Sequence, residues 1–267
     1  DLSKKNFDQK FGKHEFIPGE TYIPPSGKVL DADDCAYLID ASLDMWLTAG
    51  RFAAQFEPTL AKKFGKKLSK LTVSGSAANL LAFSTLTSWK LGEDRIKPGD
   101  EVITQAVSFV ATANAISYCG AKPIFIDVDL DTLSMSPTAL LDFLQNRVEI
   151  NSGRAYNKKS GARIKACLPM HSFGHPARIA EISEICKQFN ITLIEDCAES
   201  LGSFISDTHT GLCGRLAAIS FNGNKIITTG GGGMIITNDD ELAGRAKHIT
   251  TTAKCSHPYE YYHDELG

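Results

Sequence analysis

Apolar residues along the chain switch between two periods, and the switches mark the elements. From Asp31 to Trp46 the apolar positions Cys35, Leu38, Ile39, Leu43 and Trp46 fall three to four apart behind acidic residues, which predicts a helix starting near Asp31. Phe52, Phe56, Leu60 and Phe64 repeat that period. Leu71-Thr72-Val73 then reads as a short strand entering the small-residue turn Ser74-Gly75-Ser76-Ala77-Ala78-Asn79, and Leu80, Leu81, Phe83, Leu86 and Trp89 continue as a helix. Next come a strand over 101–104, a helix over 111–118, a strand over 123–128 and a helix from Ser136 to about Leu144. After a polar segment at 151–161 follow a strand over 165–168, a helix over 177–189, and strands over 191–195, 216–221 and 234–237. Seven strands interleaved with helices predict an α/β domain over residues 29–267, with a mostly parallel sheet between helices. Residues 1–28 mix charge with the turn formers Pro18-Gly19 and Pro24-Pro25-Ser26-Gly27, so an N-terminal arm with at most one short helix is expected there.

Composition narrows the function classes. A chain of 267 residues with 43% apolar content can bury a sizeable core. Its net charge of −3 comes from interspersed acids and bases without a basic stripe, which argues against a nucleic-acid partner. The seven cysteines are scattered, with no close Cys-x-x-Cys pair and no matching histidine spacing, so reduced thiols are expected and neither a disulfide framework nor a metal site. No stretch approaches the roughly 18 apolar residues of a membrane span. A cytoplasmic protein with no membrane partner is the natural expectation.

The candidate chemistry gathers at predicted strand ends, where ligands of parallel sheets collect. The apolar run 191–194 delivers the acidic pair Glu195-Asp196, and some thirty residues later Lys225 closes Ser-Phe-Asn-Gly-Asn-Lys ahead of four glycines, 230–233. An acid at a buried strand's end followed by a lysine beside glycines reads as a pyridoxal phosphate site. That cofactor needs an amine to hold its aldehyde and a carboxylate to keep its ring nitrogen protonated. Taken singly, a lysine near glycines is more often a solvated loop residue. Ser74 to Ala77 follows a strand and opens a helix, so its amides can hold a phosphate, although serine is also an ordinary helix cap. The Phe109 ring could stack on a flat cofactor or belong to the core. His171 could contact a ligand or be a satisfied structural histidine.

In this order the motifs resemble the DegT/DnrJ/EryC1/StrS family of pyridoxal-phosphate sugar aminotransferases. The likeness rests on 74–79, Lys97-Pro98-Gly99-Asp100-Glu101, Ser108-Phe109-Val110-Ala111-Thr112, Pro169-Met170-His171-Ser172-Phe173-Gly174, 194–200 and 220–225. It implies the aspartate-aminotransferase-like fold type I, with Lys225 as the Schiff-base lysine and proton shuttle, Asp196 as partner of the ring nitrogen and Phe109 as the stacked ring. Gly75, Ser76, Ala77 and Ser220 would form the phosphate cup. Glu199 would lie near the cofactor's phenolic oxygen, where many relatives carry glutamine, and His171 would line the substrate pocket. The stretches Phe221 to Gly230 and His257-Pro258-Tyr259-Glu260-Tyr261 look most like the branch that aminates C4 of UDP-linked 4-keto-6-deoxy-N-acetylhexosamines, with glutamate as the expected donor. Ile23 to Val29 and Thr87 to Gly92 look closer to the branch of 3-dehydrases acting on CDP-4-keto-6-deoxyglucose, which carries histidine in place of the lysine. An inactive or truncated binding relative is the third reading. The resemblance further implies a homodimer with a shared active site and, after Gly267, a small C-terminal domain missing from this chain.

Overall fold

The computed structural model describes residues 2–12, 15–23, 29–255 and 262–267. The turn formers 24–27 and the segment 257–261 lie outside them. Two compact units are present, residues 1–59 and 60–267. The first unit extends past the residue-28 boundary drawn from the turn formers. It contains helices α1 (Leu2–Phe11) and α2 (Ala32–Leu43), and α3 (Arg51–Lys63) begins within it. Asp31 starts α2 with a reciprocal cap: its side chain accepts from the amides of Asp33 and Asp34, and the Asp34 carboxylate accepts from the Asp31 amide. Arg51 ties the start of α3 back to Asp40 and Asp44, each at 2.8 Å. Neither α1 nor α2 contains a buried residue.

The second unit is built on a sheet whose order along the main path is β1 (Leu68–Thr72), β11 (Gly233–Thr237), β10 (Leu216–Ser220), β7 (Thr192–Cys197), β6 (Arg163–Leu168), β2 (Glu101–Gln105) and β3 (Lys122–Ile126). The pairings from β10 through β7, β6 and β2 to β3 are parallel, while β11 runs antiparallel to both β10 and β1. The mostly parallel expectation therefore holds along this seven-strand path, while the whole sheet has nine strands, two more than expected. A hairpin of β4 (Val148–Asn151) and β5 (Arg154–Asn157) adds to it through β5 and β6, and β8 (Phe204–Ile205) pairs with β9 (Thr208–His209) separately.

Alternate side chains of the parallel strands enter two different cores, as the period of two requires. Val102, Leu168, Ile194 and Leu216 face the helices α4 (Gly75–Thr87), α5 (Val110–Tyr118) and α8 (Asp240–Thr250). Ile103, Cys167 and Leu193 face α6 (Pro137–Arg147) and α7 (Ile179–Gln188). Helices thus cover both faces. Among the described residues no helix is long and apolar enough to cross a membrane, and all seven cysteines are free thiols.

Three local readings are corrected. The first strand runs over Leu68–Thr72, and Val73 lies beyond it and is exposed. The antiparallel register with β11 sets those bounds, so the polar residues Ser69 and Lys70 belong to the strand. The segment 151–161 is not simply polar loop, since β5 occupies part of it; Ser152 and Gly153, at φ 50° and 75°, make the two-residue turn that closes the hairpin. α8 had no counterpart in the sequence pattern. It is capped by Asp239 and buries Leu242, Ala246 and Ile249.

Candidate active site

The site is assembled at the carboxyl ends of β7 and β10 and the amino ends of α4 and α5. Ser74 caps α4: its hydroxyl accepts from the Ala77 amide at 3.1 Å. This corrects the expectation that the Ala77 amide is available to a ligand. The amides of Gly75 and Ser76, at the first two helical positions, have no intrahelical acceptor and are the donors that could meet an anion at this turn. Gly75 is packed so closely on the end of β10 that a β-carbon there would lie 2.5 Å from Ser220 Cβ and 2.7 Å from its hydroxyl. Gly233 meets Ser74 equally closely, since a β-carbon would come within 2.2 Å of its carbonyl oxygen. These contacts require glycine at both positions and bring Ser220 against the α4 turn.

The adjacent acids of β7 point to opposite faces of the sheet. Asp196 faces α4 and α5, where Oδ2 accepts from Asn79 Nδ2 at 2.9 Å and from Thr112 Oγ1 at 2.7 Å. Among the described residues its Oδ1 accepts only from the Ala198 amide, at 3.0 Å. Glu195 faces the other side, where His171 Nε2 lies 3.0 Å away and the amides of Gly211 and Gly214 donate at 2.8 and 2.6 Å. Burial by itself would raise Glu195, but the bond from His171 and the two amides outweigh it and hold the carboxyl below its ordinary value.

His171 is completely buried. Its Nδ1 accepts from the Ala177 amide at 3.0 Å, so the proton sits on Nε2 and is donated to Glu195. The structure thus places His171 among satisfied structural groups, with no ring nitrogen free for a substrate. Its metal-capable neighbours, Glu195 and Cys197, are similarly engaged: the oxygens of Glu195 are already bonded, and burial together with Glu195 and Asp196 pushes the Cys197 thiol well above its ordinary value.

Lys225 sits in the loop from β10 to β11, half-buried, with Nζ 3.0 Å from Glu199 Oε1. The other oxygen of Glu199 accepts from the Phe173 amide at 2.9 Å. Phe173 itself is a non-glycine residue at φ 54°, an uncommon conformation fixed between His171 and Gly174. Phe109 caps α5 one turn before Thr112, and its ring is 63% exposed and free to meet a ligand. Asn79, Thr112 and Phe173 had drawn no role from the sequence. The signal at Asn79 is a lone amide in the otherwise small and apolar helix Gly75–Thr87, and a buried polar group of that kind needs a partner. A concavity lined by Leu80, Trp89, Tyr118 and Ile249 lies elsewhere on this unit and shares none of these residues.

These residues fit pyridoxal phosphate. Two first-turn amides without intrahelical acceptors and a serine hydroxyl converge where a β-carbon would intrude, a held carboxylate has one oxygen with spare capacity, and a half-buried amine has a carboxylate to anchor it. Comparison with known proteins agrees. The signature of the DegT/DnrJ/EryC1/StrS aminotransferase family matches residues 29–267. The dTDP-4-dehydro-2,6-dideoxy-D-glucose 3-dehydratase of Saccharopolyspora spinosa is 38% identical over 241 residues, covering 90% of this chain and 49% of that protein. The GDP-perosamine synthase of Escherichia coli O157:H7 is 32% identical, covering 92% of this chain and 61% of that one. Among solved structures, the E. coli GDP-4-keto-6-deoxy-D-mannose-3-dehydratase with bound hydrated cofactor is 29% identical with a TM-score of 0.71, covering 86% of this chain and 54% of its own. The chain thus spans about half to three-fifths of these relatives. The sheet and its helices are those of the fold type I pyridoxal-phosphate enzymes. Because the family signature matches residues 29–267, nearly nine-tenths of its length, the chain belongs to the DegT/DnrJ/EryC1/StrS aminotransferase family.

Proposed function

We propose that the protein moves an amino group from an amino acid, glutamate in the first instance, to C4 of a nucleotide-linked 4-keto-6-deoxy sugar. The observation that carries this reading is Lys225 Nζ, held 3.0 Å from Glu199, three residues beyond the buried Asp196. When bound, pyridoxal phosphate supplies the electron sink that weakens bonds at the amino acid's alpha carbon. The amides of Gly75 and Ser76 and the hydroxyl of Ser220 bind its phosphate, and Phe109 orients its ring. Asp196 Oδ1 holds a proton on the ring nitrogen. Lys225 Nζ takes a proton from one carbon and returns it to another, and Glu199 keeps that amine in the site between these transfers.

A second reading is favoured by the names of relatives: two of the three proteins above are 3-dehydratases. Lysine at 225 supports the transferase, because the 3-dehydrases carry histidine there. The UDP-linked substrate rests on the resemblance of Phe221 to Gly230 and of His257 to Tyr261, whereas the relatives above are named for dTDP- and GDP-linked sugars. A homodimer that shares the site belongs to the same proposal. The test supplies ¹⁵N-glutamate, cofactor and a panel of UDP-, GDP-, CDP- and dTDP-linked 4-keto-6-deoxy sugars, with products read by mass spectrometry. An amino sugar bearing ¹⁵N supports the transferase. A sugar that has lost its 3-hydroxyl and carries no label replaces it with the dehydratase.

A further inference from the structure

We propose that Asn79 and Thr112 are positioning residues that aim Asp196 at the cofactor ring, an inference that rests on the reading of Asp196 as partner of the ring nitrogen. Both donors act on the same oxygen, Oδ2, at 2.9 and 2.7 Å, while among the described residues Oδ1 receives only the Ala198 amide at 3.0 Å. A carboxylate gripped on one oxygen cannot rotate, so the other oxygen presents its remaining lone pair in one direction.

The amide orientation of Asn79 follows from electrostatics. Reversing it would set Oδ1 against the Asp196 carboxylate at hydrogen-bond distance, two acceptors with no proton between them. In the orientation adopted, Oδ1 is buried and takes no hydrogen bond. Leaving a buried acceptor unpaired is unfavourable, and the neighbours Ala78, Leu81, Ala82 and Phe83 form an apolar core that an apolar side chain would join without that penalty. Asn79 therefore gains nothing for the helix itself; its one bond is to Asp196. Thr112, equally buried, does the same from α5.

The clamp also couples the parts of the site. Asn79 is the fifth residue of the helix that opens with Gly75 and Ser76, and Thr112 is the third residue of the helix capped by Phe109. The phosphate donors, the stacking ring and the acid are thus fixed relative to one another by two helices that meet at one carboxylate oxygen.

The test uses the protein loaded with cofactor labelled with ¹⁵N in the ring, comparing Asn79→Ala, Thr112→Val, Thr112→Ser and Asp196→Asn. The ring-nitrogen resonance, the cofactor dissociation constant and the rate of the glutamate half-reaction are measured. Asn79→Ala and Thr112→Val are expected to move the resonance toward that of unprotonated pyridine and slow the half-reaction at least tenfold, with affinity changed less than threefold; Thr112→Ser should restore both. An unmoved resonance in Thr112→Val, with Asp196→Asn shifted, overturns the clamp and leaves the role of Asp196 standing. An unmoved resonance in Asp196→Asn overturns the reading on which it rests. If Asn79→Ala does not fold, the Thr112 pair decides by the same resonance.

Discussion

A single amine and a single carboxylate carry the largest expected effects. Lys225→Ala removes the group that moves protons and leaves the apolar strands untouched, so amino transfer should fall below detection while the melting temperature stays within a few degrees. Steady turnover in that variant would rule out the assignment. Glu195 gives a second prediction of opposite character, since it acts on stability. Its carboxyl is held below the ordinary 4.5, so its contribution is complete above that pH and is lost as acid carries the protein through the lower folded value. Glu195→Gln keeps the shape but turns an N–H group toward the donors of His171, Gly211 or Gly214, leaving one mismatched. It should cost about 1–3 kcal/mol near pH 7. The gap from wild type should narrow below pH 4.5. Urea unfolding at both pH values measures it, and a pH-independent gap would refute the account.

At the scale of elements, the close approach between α4 and β10 makes the sharpest demand. Gly75→Ala places a methyl group 2.5 Å from Ser220 Cβ, and the backbone has to give way. A loss of about 1–3 kcal/mol is expected for such overpacking, together with weaker cofactor binding because the two first-turn amides move with the helix. Thermal unfolding and a fluorescence titration of the cofactor check the two parts. The turn itself was legible in the sequence, because a strand, small residues and an apolar helix follow one another there. The burial of Asp196 at a strand end and the two-sided strands were legible for the same reason: each has a local signature of residue type or period. What escaped depends on partners distant in the chain. Strand Leu68–Thr72 is polar at Ser69 and Lys70 and is defined by pairing with β11; β5 is strand because of β6; and Asn79 and Thr112 acquire roles from an aspartate 117 and 84 residues away. His171 read equally well as ligand contact or structural group until the bond from the Ala177 amide fixed its tautomer.

For the molecule as a whole, the two cores on either side of the sheet explain why no covalent staple is used. Helices on both faces bury alternate residues of the central strands β2, β6 and β7, and each thiol is free. Full reduction should therefore leave the melting temperature unchanged, as differential scanning calorimetry with and without dithiothreitol would show; a drop of several degrees would reveal a bond that stabilises the fold. The adjacent acids of β7 add a constraint on how such a protein can diverge. Because Glu195 and Asp196 serve opposite faces, gaining or losing one residue within that strand would exchange them, sending the acid that faces α4 and α5 into the His171 network and the one bonded to His171 toward those helices. Substitution can alter the chemistry around Lys225 step by step. Changes in length can accumulate in the loops but not in β7, where a single-codon deletion would displace together the carboxylate bonded to Asn79 and Thr112 and the one bonded to His171.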